Sequence, residues 1–244
     1  MRVSDFIALR LKSLGCEDVF MVTGGAAMHL NDSFGREYSG NIHTLHHEQS
    51  CAMAAESYAR IKFKPAILNV TAGPGGINAI NGVFGAYVDS LPMIIVSGQA
   101  KTSTMVSSYD DHNLRQLGDQ EVDIVSMVKK ITKFSTVVTD PLSISDLIDK
   151  CFKIATTGRM GPVWIDVPID IQAMILPTEF TSYLNKDINP RLTQDDPFIS
   201  DAQVNQLAKK ILLSERPTLY VGGGVRLSES HKAVSYTHLR AHET

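Results

Sequence analysis

The sequence predicts an α/β fold: a doubly wound, six-stranded parallel sheet with helices on both faces, followed by the beginning of a second α/β domain. Three observations predict it. Short runs rich in Val, Ile and Leu recur between alanine-rich or amphipathic stretches. Most of these runs are near-continuous rather than alternating, which marks strands buried on both faces of a parallel sheet. Glycine pairs or clusters follow the first and third runs, where a strand must turn into a helix.

The elements follow in order. Ile7, Leu11 and Leu14 fall at helical spacing, so the N-terminus reads as an amphipathic helix, with Ser4 as its cap and Gly15 as its end. Charges at Arg2, Asp5, Arg10 and Lys12 interrupt any apolar core of a signal peptide. Residues 19–22 form the first strand, Gly24-Gly25 the turn and 26–34 a helix. Residues 42–45 and 66–70 are the next strands. Helices over 48–60 and 77–88 follow them, the second stopping before Pro92. Residues 93–96 are a nearly all-aliphatic strand. The polar stretch 101–120 has no periodicity and reads as a long functional loop. A short helix over 122–128, a strand over 134–138, a helix over 143–157 and a strand over 163–166 complete the first domain, residues 1–175.

From residue 176 to 199 the composition shifts, with Pro177, Pro190 and Pro197 among polar residues, as in a linker. Ser200-Asp201-Ala202-Gln203 is a capping-box signal for a helix to about Leu213. Thr218 to Val221 reads as a strand leading into Gly222-Gly223-Gly224. This start of a second domain, 200–234, is expected to be truncated; the roughly 45 residues from 200 to the chain end cannot bury a core of their own. Residues 235–244 show no period and are expected to be an artefactual or disordered tail.

Composition excludes several classes. With 244 residues, 43% hydrophobic and 20% charged, at a net charge of −3, nothing points to nucleic acid or an acidic membrane surface. No stretch approaches the ~18 apolar residues of a membrane span. Cys16, Cys51 and Cys151 are scattered and odd in number, which suits a reducing cytoplasm. His43, His46, His47 and Glu48 lack the spacing of a helical metal site, so no metal ligands are assigned. Cys51 reads as buried packing, and Gly222-Gly223-Gly224 lacks the third glycine of a dinucleotide loop.

The chemistry concentrates on one edge. Gly24-Gly25, His47-Glu48-Gln49 and Gly73-Pro74-Gly75-Gly76 follow strands one, two and three. In a doubly wound sheet all three therefore lie at the carboxyl edge, where ligands bind. Glycines there let backbone approach a flat ligand, and helix starts offer free N–H groups. Glu48 sits at a strand-to-helix junction, either as the acid of this site or as a surface carboxylate favoured by the helix dipole.

His47-Glu48-Gln49…Ala54-Ala55-Glu56-Ser57-Tyr58-Ala59-Arg60 resembles the thiamine-diphosphate enzymes of the acetohydroxyacid (acetolactate) synthase and pyruvate oxidase group. So do Thr71-Ala72-Gly73-Pro74-Gly75-Gly76-Ile77-Asn78, Asp89-Ser90-Leu91-Pro92 and Gly98-Gln99. Residues 161–168 are similar to the strand that closes the family's pyrimidine-binding domain, and 217–224 to the opening of its central domain. The resemblance implies that Glu48 shares a proton with N1′ of the cofactor's aminopyrimidine and so activates its thiazolium. It assigns Gly24, Gly25, Glu48, Thr71, Gly73, Pro74 and Asn78 to the cofactor and Gln120 to the substrate side. It implies a 2-keto acid decarboxylase or carboligase with pyruvate as donor. It also implies at least a dimer, as a homodimer or homotetramer, with Mg²⁺ and the diphosphate held on another domain. Arginines that hold flavin in the family have no clear match here, which counts against FAD. Ile169 stands where acetohydroxyacid synthases carry a lysine. That departure makes a related carboligase that adds an acetyl unit to a keto-sugar in surface-polysaccharide biosynthesis the first alternative; a non-catalytic binding module and a plain nucleotide-binding domain are the remaining ones.

Overall fold

The computed structural model describes residues 1–109, 113–188, 199–218, 220–228 and 230–234. The chain divides into two compact units, Met1–Gln194 and Asp195–Thr244. In the first unit, strands β1 (Val19–Met21), β2 (Ile42–Thr44), β3 (Ala66–Val70), β4 (Met93–Gln99), β5 (Phe134–Val137) and β6 (Pro162–Pro168) form one sheet in the order β2-β1-β3-β4-β6-β5. Every pairing is parallel. The central strands β3, β4 and β6, each with an aliphatic stretch, are buried along their whole length, while β2 at the edge is half exposed. The helices are α1 (Val3–Ser13), α2 (Met28–Glu37), α3 (Glu48–Lys62), α4 (Pro74–Val88), α5 (Ile124–Val128), α6 (Ile144–Thr156), α7 (Ile169–Ala173) and α8 (Phe180–Tyr183).

The chain leaves β1 for β2 on one side and returns to β3 on the other. The sheet therefore reverses its winding between β1 and β3, where such folds bind ligands. The turn after β1 and the turn after β3 lie side by side there. A methyl group at Gly24 would fall 2.4 Å from Thr71 Cβ.

Several elements differ from expectation. The first helix is capped by Arg2, not Ser4. Asp5 Oδ2 accepts from the Arg2 backbone N–H at 2.9 Å, and Ser4 is buried, accepting a hydrogen bond from Ser33 at 2.9 Å. Gly15, with φ +86°, does end that helix. Helix α4 starts at Pro74 rather than 77, because Pro at the first helical position lacks an N–H that would be unpaired anyway. Strand β4 runs three residues further, through Ser97-Gly98-Gln99, whose polar atoms are satisfied inside the sheet. Two short 3-10 turns, Thr102–Thr104 and Val106–Ser108, break the polar stretch after it.

The segment read as a linker begins as part of the first unit. Leu176 and Phe180 are buried in its core, with Phe180 edge-on to Phe6 at 5.6 Å. Arg10, almost fully buried, pairs with Asp149 at 2.7 Å and donates to the Leu184 carbonyl at 3.0 Å, tying α1 to α6 and to this segment. Residues 189–198, with Pro190 and Pro197, lie outside the described residues.

In the second unit, α9 (Asp201–Leu212) carries the expected capping box between Ser200 and Gln203, and α10 (Gly224–Leu227) starts on the last glycine of the run. The expected strand 218–221 does not form at Thr218, Tyr220 or Val221, and Leu219 lies outside the described residues. A strand needs a neighbour, and no sheet element exists in the described part of this unit. The apolar positions Val204, Leu207 and Ile211 of α9 stay exposed. The tail 235–244 lies outside the described residues. Among the described residues no helix is long and apolar enough to cross a membrane.

Candidate active site

Glu48 is the first residue of α3. His47 precedes it as the cap, its Nδ1 accepting the Gln49 backbone N–H at 3.1 Å. The helix start thus holds the Glu48 backbone in place while its side chain reaches towards α4. Asn78, on the first turns of α4, donates through Nδ2 to Glu48 Oε2 at 3.0 Å. The other oxygen, Oε1, lies beside Gly75, 3.4 Å from where a Cβ would stand. Among the described residues Oε1 accepts no hydrogen bond. The carboxylate is half-buried, so one oxygen is fixed and the other is left for a ligand.

Thr71 stands between the two glycine turns. Its methyl would lie 2.8 Å from a Cβ at Gly75, and its Cβ crowds Gly24. Gly73 has φ +57°, a left-handed conformation that disfavours side chains. It also receives the backbone of Gln120, whose carbonyl oxygen would lie 2.2 Å from any Cβ at 73. Gln120 itself holds φ +55°, a strained value for a non-glycine residue. Pro74 is exposed at the helix start.

A cleft of about 620 Å³ opens at the same edge, lined by Gly25, Met28, Gln99, Lys101, Gln120 and Ile169 among others. The structure therefore brings all the expected site residues into one neighbourhood with two parts. Gly25 and Gln120 line the cleft. Glu48, Thr71, Gly73, Pro74 and Asn78 do not, and join it through the contacts of Thr71 with Gly24 and of Gly73 with Gln120.

The residues that build the β1 turn carried no sequence signal. Asn69 donates to Asn31 at 2.7 Å, Asn31 donates to the Gly24 carbonyl at 3.2 Å, and Gln172 donates to the Ala26 carbonyl at 2.8 Å. The histidines near Glu48 are separated in role. His43 stacks on Phe20 at 4.8 Å and bonds Asp18 at 2.7 Å, while His47 caps a helix. Among the described residues no cluster of His, Cys, Asp and Glu could hold a metal ion. All three cysteines are free and buried.

Residues 1–127 match the family described as "Thiamine pyrophosphate enzyme, N-terminal TPP binding domain". The chain belongs to this family. Acetolactate synthases are among the proteins it resembles in sequence. It is 34% identical over 230 residues to acetolactate synthase 3, chloroplastic, of Brassica napus, covering 91% of this chain and 32% of that protein. It is 33% identical to the acetolactate synthase large subunit of Haemophilus influenzae, covering 93% of this chain and 38% of that one. The match to the large subunit of Lactococcus lactis is 31%, over 93% and 37%. The chain thus spans about a third of the length of the relatives it matches. A Rhodococcus jostii RHA1 thiamine diphosphate-dependent 4-hydroxybenzoylformate decarboxylase shares its fold. The TM-score is 0.76 at 21% identity, covering 95% of this chain and 41% of that one.

Proposed function

We propose that this chain is the pyrimidine-binding part of a thiamine-diphosphate-dependent 2-keto acid decarboxylase or carboligase of the acetolactate synthase type. Pyruvate is the donor, and Glu48 is the residue that handles the proton. One observation carries this reading: Asn78 holds Oε2 of Glu48, and Oε1 is left beside the bare backbone of Gly75. A flat heteroaromatic ring fits such a place. It needs a carboxylate in the plane of its ring nitrogen and side-chain-free backbone against its faces. Gly25 adds to the fit, because a Cβ there would meet nothing within 4 Å and project into open space.

When bound, thiamine diphosphate supplies the carbon nucleophile and the electron sink for loss of CO2. The protein residues do the rest. Glu48 Oε1 would share a proton with the ring nitrogen, and Asn78 keeps the carboxylate from rotating away. Gly24, Gly25, Thr71, Gly73 and Pro74 offer backbone and small surfaces to the ring. Gln120 approaches from the cleft, on the substrate side. The diphosphate and Mg²⁺ are assigned to another domain of the complete protein, and a second subunit, in a homodimer or homotetramer, is expected to close the site. The buried, free cysteines fit a reducing cytoplasmic setting.

A second reading has its own support. Ile169 lines the cleft, placing an apolar side chain where acetohydroxyacid synthases carry a lysine. An acceptor bulkier and less charged than a second 2-keto acid, such as a keto-sugar, suits that wall. Acceptor profiling of the complete protein with pyruvate as donor separates the two readings.

The deciding variant is Glu48→Gln in the complete protein. Thiamine diphosphate affinity should weaken only moderately, while pyruvate turnover should fall by ~10² to 10⁴-fold, the scale of a positioned proton transfer. Turnover near the wild-type level would overturn the assignment.

A further inference from the structure

Asp166 is a carboxylate buried in the middle of the sheet, 1% exposed, on β6 in register with Ser97 of β4. Burying such a group is costly unless its oxygens are hydrogen-bonded. Its partners here are neutral. Oδ1 accepts from the Ser97 hydroxyl at 2.5 Å, and Oδ2 accepts from Gln99 Nε2 at 2.8 Å. The Trp164 indole N–H donates to the Ser97 oxygen at 2.7 Å, which directs the Ser97 hydrogen towards Asp166.

Gln99 is fully committed. Its Nε2 donates to Asp166 and to the Val122 carbonyl at 2.9 Å, and its Oε1 accepts the Ala100 N–H at 2.9 Å. A flipped amide would set its oxygen against two acceptors and its NH₂ against a donor, so only one orientation works. Val122 closes the loop that carries Gln120. Within that loop, Glu121 accepts the backbone N–H groups of Val106 at 2.6 Å and Gly118 at 3.1 Å. The loop is thus knotted on itself by Glu121, and the Gln99 side chain ties it to the sheet.

We propose that Asp166 is a positioning residue: it orients Gln99, and Gln99 fixes the segment 117–122 so that Gln120 meets Gly73 and faces the cleft. This rests on reading the cleft as the substrate side, but it makes a claim about the ligand-free chain.

The test is amide hydrogen exchange on the complete protein without cofactor, comparing the segment 116–123 with strand β3 as an internal control. Gln99→Met and Asp166→Ala should each speed exchange in 116–123 by about tenfold, the effect of losing one hydrogen bond that holds a locally opening loop. Strand β3 should be unchanged. Asp166→Asn should restore wild-type exchange, because its oxygen can take the Gln99 hydrogen and its NH₂ can donate to Ser97. Exchange that rises equally in both segments, or in neither, overturns the proposal, since a merely structural carboxylate would loosen the sheet as a whole. Asp166→Asn behaving like Asp166→Ala overturns the pairing with Gln99. If Asp166→Ala does not fold, Gln99→Met alone decides. None of these results depends on a cofactor, so failure here leaves the Glu48 assignment standing, and failure of Glu48→Gln leaves this result standing.

Discussion

Asn78 decides what Glu48 is able to do. A carboxylate at the first position of a helix can swing among several rotamers, and the 3.0 Å bond from Asn78 removes that freedom. In the complete protein, Asn78→Leu should therefore lower pyruvate turnover by about tenfold, the value of one hydrogen bond, with smaller change in cofactor affinity. Steady-state kinetics beside a cofactor titration checks the split. Asn78→Asp should be worse than Asn78→Leu, because it sets a second negative charge against Oε2. In the sequence Glu48 stood out at its strand-to-helix junction, and Asn78 only through the family resemblance of the motif it closes. Asn31, Asn69 and Gln172 stayed invisible. They are polar residues inside ordinary helix and strand patterns, and nothing in a linear pattern shows that their amides converge on the turn after β1.

Helices α3 and α4 carry the two halves of this pair, so their spacing sets the geometry. They pack closely because Gly82 faces Ala52. A Cβ at 82 would lie 2.5 Å from the Ala52 Cβ and 2.7 Å from the Met53 nitrogen. Backbone atoms cannot move aside as a side chain can. Gly82→Ala should cost about 1–3 kcal/mol through overpacking, more than the ~1 kcal/mol that better helix propensity returns. Thermal unfolding would show the loss, and the displaced α4 should carry Asn78 away from Glu48. At this scale all six strands were placed, the runs rich in Val and Ile marking the buried strands, while β2 and β5 at the two edges stay partly exposed. The boundaries that failed did so for local reasons. Pro-Gly-Gly reads as a loop yet starts α4. Ser-Gly-Gln reads as a loop yet extends β4 through bonds to Asp166. Helices α7 and α8, of five and four residues, are too short to show a period.

For the whole first unit, a buried acid, Asp166, and a half-buried one, Asp5, pull stability in opposite directions with pH. Burial pushes the Asp166 carboxyl up from 3.8 to about 7, with Asp123 adding to the rise and the bonds from Ser97 and Gln99 opposing it. Its ionised form is thus disfavoured in the native state. Between these values the native state holds a proton that the unfolded chain has lost, so stability increases as pH falls from about 7 to 3.8. The full span corresponds to about 4 kcal/mol. Asp5 runs the other way. Burial opposes its ionisation, but hydrogen bonds from Arg2 and Ser33 hold it well below the usual carboxylate range, so its contribution is lost only as pH falls further into acid. Urea unfolding from pH 4 to 8 should show the wild type gaining on Asp166→Asn as the pH drops, and parallel curves would refute it. The doubly wound topology was legible from strand composition, and glycine placement marked the edge at which the cleft opens. The packing of residues 176–184 onto α1 was not, because it depends on Arg10 and Phe6 meeting partners far along the chain. One consequence of the Ser97–Trp164 bond remains. Trp164 is the chain's single tryptophan, so its ultraviolet emission is a built-in, label-free gauge of the hydroxyl it touches. Any event that protonates the neighbouring acid or shifts Gln99 should register in that light alone, without a reporter being attached.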